Sequence, residues 1–155
     1  MIKILLSLIP SEGMRLNGEE PSDFLDVAKD VCFSINGPVR YEFDVSFVKN
    51  DVIVKGCVEM DLKCTCGKCL KPYNLKIRND DVCHFYEKPY KNEIDLTEDI
   101  REDILIGFPY KFECSPNCKG ICFKCGQDLN EKKCSCLKRK KDKNTVWNEL
   151  DKLEK

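Results

Sequence analysis

Six of the chain's twelve cysteines fall in one stretch, ECSPNCKGICFKCGQDLNEKKCSC, between Cys114 and Cys136. Thiolates are soft, charged ligands, and two of them set three positions apart let one tight turn aim both sulfurs at the same ion. Cys122 and Cys125 make such a pair, and Cys134 and Cys136 are close enough along the chain to complete a tetrahedral set. The run is therefore read as a metal site held by four of Cys118, Cys122, Cys125, Cys134 and Cys136. Gly126, directly after Cys125, suits the turn because the chain there commonly needs φ > 0. The spacer from Gln127 to Lys133 is polar apart from Leu129, so the ion would stand in for a hydrophobic core.

Zinc is the ion that closed all-sulfur sets select, and the single His84 lies too far along the chain for a two-cysteine, two-histidine arrangement. An iron–sulfur cluster is the rival, because Cys118, Cys122 and Cys125 spell C-x3-C-x2-C, the spacing of radical enzymes that cleave S-adenosylmethionine. Those enzymes place an aromatic residue before the third cysteine, where this chain has Lys124, and 155 residues scarcely supply their barrel. Zinc is the expected cofactor.

A second group, Cys64, Cys66 and Cys69 in LKCTCGKCLKPY, holds a CxxC turn with a glycine inside. Cys66 and Cys69 form a candidate second metal site, a redox pair, or a turn where sulfur packs. A metal there needs two more ligands, for which Cys64 is near and Cys114 distant in sequence. Cys32, Cys57 and Cys83 stand alone and are read as small core hydrophobes. Close cysteine pairs of this kind point to a reducing compartment rather than to a disulfide scaffold. The opening MIKILLSLIP is short for a secretory apolar region, no small-residue cleavage site follows it, and no apolar run approaches a membrane span. The expected location is the cytoplasm, without a membrane partner.

The net charge of -1 conceals an asymmetry. Residues 111–143 carry ten Lys/Arg against four Asp/Glu, a net of +6 that leaves -7 on the remainder. The densest part is KRKKDK, from Lys138 to Lys143. Each lysine or arginine that meets a phosphate releases counterions, so Lys138, Arg139, Lys140 and Lys141 are candidate nucleic-acid contacts. Lys119, Lys124, Lys132 and Lys133 extend the set, and the ordinary reading of such a run is a solvated linker. No aromatic interleaves the run, so contact with the phosphate backbone is expected in place of base stacking.

Upstream the hydrophobic period is two. Val39, Tyr41, Phe43, Val45 and Phe47 alternate with Arg40, Glu42, Asp44 and Ser46, which predicts a half-buried strand. Asn50 and Asp51 suit a tight turn, after which Val52, Val54, Val58, Met60 and Leu62 share one face, so the two runs predict an antiparallel hairpin with a bulge at Gly56. A third run holds Tyr73, Leu75 and Ile77 and continues to Tyr86, and Ile2 to Ile9 reads as a further strand. Thr97 is placed to cap a helix carrying Ile100, Ile104 and Leu105 and stopping near Gly107-Phe108-Pro109. Residues 22–30 predict a short helix capped by Ser22 or Asp23, and residues 144–153 a second one with Val146, Trp147, Leu150 and Leu153 on one face.

The order of these features resembles the YceD family, the large ribosomal RNA subunit accumulation proteins of bacteria and plastids. The resemblance is carried from Gly37 onward by Gly56-Cys57-Val58 in the hairpin, by Cys66, Cys69, Leu70, Pro72 and Tyr73 as CxxCLxPY, and by the proline-ended helix DLTEDIREDILIGFPY. The CKGICFKCGQDLN run with its closing CSC is its most specific piece. The resemblance implies a role in accumulation of large-subunit ribosomal RNA, through binding that RNA or a pre-ribosomal large subunit, without a catalytic step. Some members lack the C-terminal cysteines, so the metal would be an accessory to the shared role. Lys68 sits where similar sequences often carry arginine, which makes it a further candidate RNA contact.

No serine nucleophile motif and no glycine-rich phosphate loop is present, so a non-enzymatic protein is expected. The acidic residues of EIDLTEDIRED are read as the solvated face of a helix, and His84 as structural. The expected fold class is α+β, an antiparallel sheet with few helices plus a small C-terminal cysteine-rich zinc-binding module. Its divisions are residues 1–110, 111–137, and a basic segment with a packed helix at 138–155. A thiol redox sensor using the CxxC pairs and a zinc-ribbon module that binds protein are the alternatives from other classes.

Overall fold

The computed structural model of the chain describes residues 1–27, 30–89 and 92–138. In chain order the strands are β1 (Lys3–Leu5), β2 (Met14–Glu20), β3 (Phe33–Ile35), β4 (Val39–Val48), β5 (Asp51–Thr65), β6 (Pro72–Tyr86) and β7 (Glu93–Asp95), followed by helix α1 (Thr97–Ile106). The period-two runs form the predicted hairpin, β4 against β5, with Arg40 opposite Glu59 and Val48 opposite Asp51. β6 pairs along the other edge of β5, β2 covers the outer edge of β4, and β3 takes the far end of β5. The result is a five-stranded antiparallel sheet, with β1 and β7 paired separately. The class is α+β, as expected.

One face of the sheet buries Val39, Phe43, Val45, Val52, Val54, Val58, Met60 and Leu62 in one core with Ile100 and Ile104 of α1, Ile4 and Ile94 of the β1–β7 pair, and Ile2 just before β1. Burying side chains of this size stabilises by about 1.5–3 kcal/mol each. The hairpin needs glycine at position 56 for space, because a Cβ there would stand 2.0 Å from the carbonyl oxygen of Glu42. The irregularity expected at Gly56 is present, and its extra residue lies on β6, since Gly56 faces Val82 whereas Val58 faces Asn79.

The opposite face is wet and charged. Arg40 reaches Glu59 at 2.9 Å and Asp61 at 2.6 Å, and Lys76 and Arg78 approach Glu59 at 3.2 and 3.1 Å. Arg40 and Arg78 stand directly opposite Glu59 in the register, one on each neighbouring strand, so the pleat itself brings these charges together. The Arg40 guanidinium holds the Glu59 carboxyl down at about 2, against an opposing push from burial. A depressed carboxylate stabilises the fold above its unfolded value of about 4.3 and loses that contribution as pH falls toward the folded one. Glu59→Gln is therefore expected to flatten the decline of the urea midpoint between about pH 5 and pH 2. An unchanged acid limb would remove Glu59 from that role.

Several expectations change. The opening segment is extended only over Lys3–Leu5 and turns into a 3-10 helix at Leu6–Leu8. The helix expected over 22–30 is a 3-10 turn, Ser22–Leu25, stopped by Asp26 in the left-handed region at φ 45. Thr97 does not cap α1, because its side chain is engaged elsewhere: its Oγ1 donates to Asp95 at 2.5 Å and accepts the amide of Ile2 at 3.1 Å. Asp99 and Asp103 do not merely face solvent. Asp99 accepts the hydroxyl of Tyr86, while Asp103 is bonded to His84 at 2.7 Å and to Asn79 at 3.4 Å, tying the helix to β6. Among the described residues no helix is long and apolar enough to cross a membrane. The helix expected at 144–153, and Arg139, Lys140 and Lys141, lie outside the described residues.

Candidate metal centres

The chain leaves β5 at Thr65 and enters β6 at Pro72, and the turn between them carries Cys66 and Cys69. Its shape is fixed by two backbone bonds: the amide of Cys66 donates to Lys71 at 2.9 Å, and the amide of Leu70 donates to Cys66 at 2.8 Å. Leu70 takes φ 59 to close it. The turn at Cys122 and Cys125 repeats this pattern position for position. The amide of Cys122 donates to Gln127 at 2.8 Å, the amide of Gly126 donates to Cys122 at 2.8 Å, and Gly126 takes φ 71, as its place in the sequence required. The two knuckles, CGKCLK and CFKCGQ, are the same local structure built twice.

Each knuckle is completed by two more sulfurs. Cys66, Cys69, Cys114 and Cys118 form one quartet and Cys122, Cys125, Cys134 and Cys136 the other, with the sulfurs of each set all within 4.8 Å of one another. In the first, Sγ of Cys66 lies 3.8 Å from that of Cys118, and Sγ of Cys69 lies 3.7 Å from that of Cys114. A tetrahedral ion with zinc–sulfur bonds of about 2.3 Å spaces its ligands about 3.8 Å apart. A disulfide requires about 2.05 Å, and all twelve cysteines are free.

Of the five cysteines assigned to the C-terminal site from the sequence, four come together, and Cys118 stands with Cys66 and Cys69 instead. The amide of Cys118 closes a turn onto Ser115 at 3.0 Å, and its sulfur points back toward the sheet. Cys64 is 2% exposed within the main core and belongs to neither quartet. Cys32 and Cys83 are exposed and Cys57 is half-buried, so none of the three is the small core hydrophobe that was expected. Cys64 takes that part.

The donor chemistry fits a divalent ion. Burial pushes the Cys66 thiol up, but amides directed at its sulfur, that of Cys114 foremost at 3.4 Å, outweigh this and bring it to about 6. Cys122 is brought down to about 7 by the amides of Lys124 and Cys125. Once one sulfur of a quartet is charged, its neighbours resist ionisation: Cys114 is pushed up to about 12 by Cys66 and Cys69, and Cys136 to about 11 by Cys125. Four thiolates at these spacings require a cation among them. Zinc in either quartet would be closed and structural, with no position left open for a substrate.

The two centres are joined. The amide of Ile121 donates to the carbonyl of Lys68 at 3.0 Å, and a Cβ on Gly120 would stand 2.8 Å from that oxygen. The amide of Gly67 donates to Phe112 at 2.7 Å. Lys71 bridges to Asp128 at 2.7 Å and to Glu131 at 2.5 Å. The first quartet thus takes two sulfurs from the sheet turn and two from the segment lying on it. Lys68 is held by Glu113 at 2.6 Å, whereas Lys119, Lys124, Lys132 and Lys133 are exposed. Cys136 lies in a 3-10 turn, Ser135–Lys138, which ends on the first residue of the basic run.

Residues 80–154 match the family model described as large ribosomal RNA subunit accumulation protein YceD. A large ribosomal RNA subunit accumulation protein YCED homolog 1, chloroplastic, of Arabidopsis thaliana is 39% identical over 64 residues, which cover 41% of this chain and 19% of that protein. The protein of the same name from Zea mays is 39% identical over 61 residues, covering 39% of this chain and 20% of its own length. The matched stretch thus spans about a fifth of either relative. No solved structure matches the chain. The family match begins beyond the first knuckle, so Cys66 and Cys69 fall outside it while Cys114 and Cys118 fall within it. The family that the cysteine run and the proline-ended helix resemble is the one whose model matches, and the match is confined to residues 80–154.

Proposed function

We propose that this protein supports the accumulation of large-subunit ribosomal RNA without catalysis, by contacting that RNA or the assembling large subunit through a basic surface that two zinc ions hold rigid. The observation that carries the reading is the position of the second quartet. Its last ligand, Cys136, stands two positions before Lys138, where the run Lys138 to Lys143 begins, so a metal there fixes the chain next to the densest cationic charge. The relatives' names supply the RNA, and the chemistry supplies the mode of contact. Structural zinc contributes about 10–16 kcal/mol of apparent binding free energy to small peptides, enough to order a segment with little core of its own. The protein would work where thiolates stay reduced, as in the cytoplasm.

Charge arithmetic assigns the contact to the basic run. Residues 66–71 and 111–143 together carry +8, and two divalent ions on their eight thiolates contribute -4. The loaded module is then +4, which equals the net charge of the run itself. The wet face of the sheet is a poorer candidate, since Arg40 and Arg78 are already engaged by carboxylates. The redox alternative is disfavoured by the tetrahedral spacing, which gives each CxxC pair two further sulfur partners. The reading is tested by complementing cells depleted of the protein with Lys138→Glu/Arg139→Glu/Lys140→Glu. Normal recovery of large-subunit ribosomal RNA in that strain would overturn it.

A further inference from the structure

We infer that Phe123 is a stacking platform for an unpaired base of the RNA, a contact that rests on the RNA-binding reading and gives it a mode the charges alone do not. Phe123 sits between the two metal-facing residues of the second knuckle and is 80% exposed. Its backbone is held on both sides by the bonds from Cys122 to Gln127 and from Gly126 to Cys122. At the corresponding place the first knuckle has Gly67, whose amide is turned inward onto Phe112. One tip is therefore used to join the segment to the sheet, and the other presents a ring to solvent.

A single exposed apolar side chain is ordinary on a protein surface. What distinguishes Phe123 is its company. The ammonium of Lys124 lies 5.9 Å from the ring centroid, and Lys119, Lys132 and Lys133 of the same segment are exposed and make no ion pair among the described residues. A rigid aromatic face with one cation against it, on a segment that carries three more exposed ones, matches the two halves of a nucleotide, with the base on the ring and phosphates on the lysines. The occupant is single-stranded, because a base within a duplex has both faces already covered. On binding, Lys124 moves off the ring to a neighbouring phosphate, and the base takes its place.

The test uses the full chain loaded with zinc, with labelled oligouridylate and an RNA duplex of equal length as probes. Phe123→Ala and Phe123→Leu are expected to weaken oligouridylate binding about ten-fold while leaving the duplex and the metal content unchanged. Phe123→Trp in a Trp147→Phe background is expected to retain binding, with its indole emission quenched by oligouridylate. Wild-type affinity in both the Ala and Leu variants, or an indole emission that bound RNA does not alter, would overturn the inference and leave the RNA reading standing. A wild-type chain that binds neither probe would overturn both.

Discussion

Cys118→Ser is expected to lower the metal content from two ions per chain to one, and the ion lost is the one that joins the C-terminal segment to the sheet. The residue is 9% exposed, with its sulfur 3.8 Å from that of Cys66, and a serine hydroxyl is a poor replacement for a thiolate on zinc. Measured values for structural sites are about 10–16 kcal/mol, and whole domains are stable by about 5–15 kcal/mol, so the change is large on the scale of the fold. It should also be local. The core around Phe43, Met60 and Ile100 contains no ligand, so the sheet stays folded while residues 111–136 become open to protease. Cys122→Ser should instead empty only the second site, and Cys32→Ser, at an exposed position outside both quartets, should change neither count. Two ions retained in Cys118→Ser would show that the quartets are grouped wrongly.

Reversing the charge of the basic run is expected to have the second large effect. Lys138→Glu/Arg139→Glu/Lys140→Glu changes the loaded module from +4 to -2, which converts attraction for phosphate into repulsion. Removing three phosphate contacts shallows the dependence of log affinity on log salt by about 2–3, and the affinity at moderate salt should fall by roughly 100-fold or more. No ligand is touched, so the metal content should stay at two. Measured by anisotropy across a salt series, an unchanged slope would place the RNA contact elsewhere.

The parts legible in the sequence were those fixed by local periodicity. The β4–β5 hairpin followed from alternating residues, α1 from its apolar spacing, and the turn at Gly126 from the CxxC beside it. Strands β2, β3 and β7 were missed for two reasons. Arg15, Asn17 and Glu19 alternate with residues that include Gly18 and Glu20, so the apolar signal is weak, and β3 and β7 are three residues each. The first quartet was only partly visible, with Cys66, Cys69 and Cys114 as candidates, because Cys66 and Cys118 are separated by 52 positions and meet only after the segment folds back on Lys68. Cys118 was one of five candidates for four places in the C-terminal site, and spacing alone did not show that it is the one left over. The missed signal was the equivalence of CGKCLK and CFKCGQ. Two like knuckles each need two more thiolates, and eight cysteines at 66, 69, 114, 118, 122, 125, 134 and 136 supply them without remainder.

The most direct test of the central claim is ultraviolet crosslinking of the wild-type protein to RNA in growing cells, with the crosslinked RNA sequenced and the crosslinked peptides mapped. The expected result is enrichment of large-subunit ribosomal RNA, with peptide adducts confined to residues 119–143. Adducts on the charged face of β4, β5 and β6, or RNA no richer in large-subunit sequence than an unrelated control protein recovers, would contradict the account.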